Sequence, residues 1–78
     1  MLTKLSPREA QVLELVSSGL TNLEVADRLG VGVHAVKFHL ASIYRKLGVG
    51  NRTEATSVYF RSAAAAAAPE TPELESSV

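Results

Sequence analysis

Seventy-eight residues allow one small domain, whose folding buries only roughly 60 % of the surface the open chain exposes. The absence of cysteine excludes disulfide staples and thiolate metal sites, and no apolar run approaches the ~18 residues of a membrane span. The formal net charge of zero hides an asymmetry: residues 1–61 carry eight basic and five acidic side chains, and Glu70, Glu73 and Glu75 cancel that excess. Because phosphate affinity follows the local field, a neutral total does not exclude a nucleic-acid partner.

Four helices are predicted from their start and stop signals. The first, residues 7–18, opens at Ser6-Pro7-Arg8-Glu9. Ser6 can cap, Pro7 suits the first helical position, and Glu9 completes an S-x-x-E capping box. Leu5 and Ala10 are spaced for a modest hydrophobic staple. Val12, Leu13 and Val16 give the buried stripe, and Gly19 is the stop. The second helix, 22–29, opens at Thr21 with Glu24 as another capping box, has Val25, Ala26 and Leu29 as its apolar face, and ends at Gly30.

Only Gly30-Val31-Gly32 separates this helix from the third, 33–47. So short a glycine-containing turn forces two helices to cross steeply, as in a helix-turn-helix unit. In VHAVKFHLASIYRKL, residues Val33, Val36, Leu40, Ile43 and Leu47 recur at steps of 3 and 4 and fall on one apolar stripe. His34, Phe38, Ala41 and Arg45 lie opposite, flanked by Lys37 and Lys46. No acidic residue occurs between Arg28 and Glu54. A helix that buries one face and presents an acid-free cationic face is suited to a phosphate-lined groove; an ordinary surface helix with three basic residues is the plain alternative.

The fourth helix, 52–66, starts near Asn51, which pairs with Glu54 as a variant cap. Ala55, Val58, Tyr59 and Ser62 share its core side, whereas Thr56, Phe60, Ala63 and Ala67 share the opposite side. Six alanines from Ala63 favour a helical extension with nothing large to bury. Pro69, Pro72 and the acidic, serine-ended remainder read as a disordered tail. The expected organisation is a domain over 1–62 followed by an extension and tail over 63–78.

Catalytic chemistry has little to work with. There is no cysteine nucleophile, no glycine-rich phosphate loop and no Ser-His-acid set in a suggestive order. His34 and His39 are five apart, about 140° around a helix, unlike the one-face i, i+4 pair of zinc enzymes. No metal, cofactor or enzymatic activity is therefore expected. His39, at the edge of the apolar seam, reads equally as a phosphate contact and as a half-buried histidine bonded to backbone. Phe38 is a large aromatic on the outer face, suited to thymine methyls or sugar edges in a groove.

The runs Leu5-Ser6-Pro7-Arg8-Glu9, Thr21-Asn22-Leu23-Glu24-Val25-Ala26, Val36-Lys37-Phe38-His39-Leu40, Arg45-Lys46-Leu47-Gly48-Val49 and Asn51-Arg52-Thr53-Glu54-Ala55 carry a family likeness. Together with Val12-Leu13, Gly19 and Leu29, in order and without gaps over about residues 3–62, they resemble the LuxR-type (GerE-type) DNA-binding domain of bacterial transcription regulators. The resemblance implies an all-α, four-helix domain that binds double-stranded DNA. Its third helix would enter the major groove and its fourth would pair two protomers in a weak homodimer.

By the same resemblance, base-facing positions fall on Lys37, Phe38 and Ala41. Phosphate contacts fall on Asn22, His39, Arg45 and Lys46. The dimer surface is expected on Thr56, Phe60, Ala63 and Ala67. The absence of cysteine, of a membrane-length apolar run and of a signal-peptide core in MLTKLSPRE gives cytoplasmic and soluble as the default expectation, with RNA polymerase as a further expected partner. Three positions depart from the common pattern: Leu23 stands where lysine is usual, Gly32 where serine is usual, and Ala35 where threonine is usual. A protein-interaction module that pairs through the fourth helix, with weak or no DNA binding, is the alternative reading.

Overall fold

A computed structural model describes residues 4–67. Its four helices are α1 (Pro7–Ser17), α2 (Asn22–Leu29), α3 (Val33–Leu47) and α4 (Arg52–Ala67). The predicted capping boxes set the first two starts. The Ser6 hydroxyl accepts from the Glu9 amide at 3.1 Å, and the Glu9 carboxylate accepts from the Ser6 amide at 2.9 Å. Thr21 and Glu24 repeat the exchange at 3.1 and 2.8 Å. Each box satisfies two amides that the helix leaves without intrahelical partners.

The stops follow the same logic. Gly30 and Gly48 take φ of +70°, the left-handed conformation that lets the next amide reach back into the helix. Val31 donates to the Ala26 carbonyl and Val49 to the Tyr44 carbonyl, both at 2.9 Å. Helix α1 ends one residue earlier than predicted. Ser18 becomes its C-cap, where its hydroxyl donates to the Glu14 carbonyl at 3.0 Å and closes the last turn. Asn51 caps the start of helix α4, its side-chain oxygen accepting from the Glu54 amide at 2.9 Å. The Glu54 carboxylate takes the Gly50 amide at 2.7 Å in place of the Asn51 amide, so the reciprocal half of this cap is shifted by one residue.

The core draws on every helix. Val12, Leu13 and Val16 of α1 meet Val25 and Ala26 of α2, Val36, Leu40 and Ile43 of α3, and Ala55 of α4, all buried. Val58 of α4 is buried as well. Each large aliphatic side chain in this set contributes about 1.5–3 kcal/mol of burial. Helix α1 is the hub, packed on α2, α3 and α4, while α2 leans on α3. Leu5, the outer member of the expected staple, packs on the core, whereas Ala10 is exposed. The alanine run extends α4 beyond Ser62 to Ala67; residues 68–78 of the expected tail lie outside the described residues.

Candidate nucleic-acid interface

The buried stripe of α3 fixes what its opposite side can do. With Val36, Leu40 and Ile43 in the core, Lys37, Phe38, Ala41 and Arg45 are exposed. Phe38 is 70 % exposed, an unusual cost for a large aromatic in a small domain. Its ring meets His39 edge-on, with centroids 5.9 Å apart. His39 is half-buried, as the seam predicts, and its side chain makes no hydrogen bond among the described residues. The expected base-facing residues thus lie together on one exposed strip of α3, with Arg45 further along it.

At the start of α3, Gly32 is extended and offers no side-chain cap. The leading amides of α3 therefore lack a capping side chain, and the helix dipole leaves partial positive charge there. An anion is the natural partner for such an end. Asn22 sits at the first position of α2, half-buried. Its side-chain oxygen accepts from Arg52 Nη1 at 3.4 Å, which leaves the amide nitrogen as the donor available to a phosphate. Its neighbour Leu23 is 68 % exposed.

Two basic residues are used differently from what local sequence suggests. The Arg52 guanidinium donates through Nη2 to the Val16 carbonyl at 3.2 Å and to the Leu20 carbonyl. It thereby ties the start of α4 to the end of α1 and to the turn before α2. Lys46 Nζ pairs with Glu9 Oε1 at 2.8 Å, across 37 positions of chain. Ser42, buried on α3, donates to the other Glu9 oxygen at 2.6 Å. The Lys46 ammonium, the Ser42 hydroxyl and the Ser6 amide together hold the Glu9 carboxyl down at about 2, against an ordinary 4.5. Arg45, by contrast, is exposed and has no acidic partner among the described residues.

Neither Arg52 nor the role of Glu9 beyond its capping box was foreseen from the sequence. Both depend on residues at least 30 positions away, so no local spacing announces them. On α4, Thr56 and Ala63 are half-buried and Phe60 is 54 % exposed; the side chain of Ala67 lies outside the described set. Phe60 meets Tyr59 edge-on with centroids 5.5 Å apart. Among the described residues, no cluster of histidine and carboxylate side chains could hold a metal ion, and no helix is long and apolar enough to cross a membrane.

Residues 3–59 match the family described as bacterial regulatory proteins, luxR family. The chain belongs to the luxR family. Its relatives include the probable transcriptional regulatory protein SgaR of Hyphomicrobium methylovorum, 41 % identical over 58 residues. The HTH-type transcriptional activator RamA of Corynebacterium glutamicum is 49 % identical over 55 residues. The transcriptional regulatory protein ComA of Bacillus subtilis is 44 % identical over 54 residues.

These matches cover 74, 70 and 69 % of this chain but only 28, 20 and 25 % of the relatives, so the chain spans about a quarter of their length. Among solved structures, the DNA-binding domain of the response regulator ComA, in complex with the anti-activator RapF, aligns with a TM-score of 0.67 at 44 % identity. That alignment covers 69 % of this chain and 93 % of the other. The luxR relatives are transcriptional regulators and not enzymes.

Proposed function

We propose that this luxR-family domain binds double-stranded DNA with sequence preference, as a weak dimer, and regulates transcription in the cytoplasm. The observation that carries the reading is the exposed face of α3, on which Lys37, Phe38, Ala41 and Arg45 stand clear of the core with no acid among them. In a major groove, Lys37 is suited to guanine acceptors, and Phe38 and Ala41 to thymine methyls. Asn22, His39 and Arg45, together with the uncapped start of α3, would hold the sugar-phosphate backbone and so set the register. A second copy would pair through Thr56, Phe60 and Ala63 on α4. Contact with RNA polymerase would follow once the domain is seated on its site.

Fluorescence anisotropy tests the reading with two labelled duplexes: DNA from upstream of the chain's own gene and a scrambled duplex of equal length. Saturable binding that favours the upstream duplex is the expected result. Equal affinity for both would remove the sequence preference. Binding to neither, with self-association intact, would favour a pairing module that acts on other regulators.

A further inference from the structure

Arg45 and Lys46 are consecutive, yet their surroundings differ in kind. Both are exposed, but Arg45 has no acidic partner among the described residues, whereas Lys46, with 36 % of its side chain accessible, is held at 2.8 Å by a carboxylate that is itself nearly out of solvent, the Glu9 residue being 6 % exposed. Glu9 is fully engaged. Oε1 accepts from the Ser6 amide and the Lys46 ammonium, and Oε2 accepts from the Ser42 hydroxyl. A buried carboxylate whose three donors include its one cation opposes loss of that cation, since the charge left behind would be held by two neutral donors alone.

Resting on the DNA-binding reading, we propose that Glu9 is a positioning residue that withdraws the Lys46 charge from the phosphate-facing surface. Arg45 is then the effective cation at the far end of α3. The anchoring of Glu9 on α1 also aims this part of α3: Ser42 and Lys46, four residues and about one turn apart, are drawn to the same carboxylate. Glu9 never touches DNA on this account. It sets how many counterions the domain releases, because a lysine already neutralised by a carboxylate displaces little of the DNA's ion atmosphere.

Salt dependence separates this role from a merely structural one, which would alter affinity without altering the slope. Affinity for a labelled mixed-sequence duplex is measured over a series of salt concentrations for wild type, R45M, K46M, E9Q and the E9Q/K46M double variant. Glutamine at residue 9 can still close the capping box, so E9Q removes the charge and keeps the cap. R45M should flatten the log K against log salt slope by about 0.9, the value of one phosphate contact, and K46M should leave it nearly unchanged. E9Q should steepen the slope by a similar step, and K46M added to E9Q should restore the wild-type slope. A slope flattened by K46M as much as by R45M, or unmoved in E9Q, would overturn the assignment.

Where a variant does not fold, wild type labelled with 13C at its glutamate carboxyls gives the answer. The Glu9 carboxyl resonance should stay in place when duplex is added, and its displacement would mean that Lys46 leaves for a phosphate. Failure of wild type to bind the duplex at all would instead count against the DNA-binding reading itself.

Discussion

On the proposed DNA-binding reading Lys37 is the side chain with the most to decide: it is exposed near the start of α3, where a lysine tip would reach base edges. Lys37→Ala should cost about 1–3 kcal/mol on the preferred site and much less on scrambled DNA. Anisotropy on both duplexes checks this, and equal losses would make Lys37 a phosphate contact only. Ser17 poses the reverse problem inside the fold. Its hydroxyl is buried at the end of α1 with no hydrogen-bond partner among the described residues. An unmade buried hydrogen bond costs about 1–3 kcal/mol, so Ser17→Ala should leave the domain as stable as wild type or up to about 1 kcal/mol more stable. Chemical denaturation measures the difference, and a clear loss of stability would mean that the hydroxyl has a partner after all.

Between elements, the Glu9 cluster joins α1 to α3 and makes a pH prediction. The carboxyl titrates at about 2 in the folded domain against an ordinary 4.5, so the folded state favours the charged form. The contribution is fully present above pH 4.5 and is lost as pH falls from there toward 2. Thermal melts of wild type and E9Q should therefore differ most above pH 4.5 and converge toward pH 2. A gap that stays constant across that window would separate Glu9's charge from fold stability.

These elements also mark how far the sequence could be read. Helix starts and stops were legible because their signals are local: Ser6 with Glu9, Thr21 with Glu24, and glycines at 30 and 48 act within one turn. The exposed face of α3 was legible from periodicity alone. The Lys46 pairing and the Arg52 tie were not, since a basic residue looks the same in sequence whether it meets water, a carbonyl or a carboxylate. Only the packing of α1 on α3 and α4 brings those partners within reach.

For the whole molecule, affinity should depend on two copies acting together. On the proposed reading a domain of this size offers few phosphate contacts, and neither the exposed Leu23 nor Gly32, which has no side chain, adds a polar one. Phe60, 54 % exposed on α4, is the aromatic side chain through which the proposed second copy would pair. A two-fold contact there would place the same patch on both partners and align two α3 helices on half-sites about one DNA turn apart. Phe60→Glu should abolish cooperative binding to a paired site and leave the melting temperature of the isolated domain nearly unchanged. Unfolding by that substitution would make Phe60 part of the core and move the dimer surface elsewhere.

Whether the outer face of α3 is the DNA interface is tested most directly by mapping amide NMR shifts as duplex is added to 15N-labelled domain. The largest changes should fall on the start of α2 around Asn22 and on α3 from Gly32 to Arg45, with the body of α1 nearly still. Changes concentrated on α1 or confined to α4, with the amides of Lys37, Phe38 and Ala41 unmoved, would contradict that assignment.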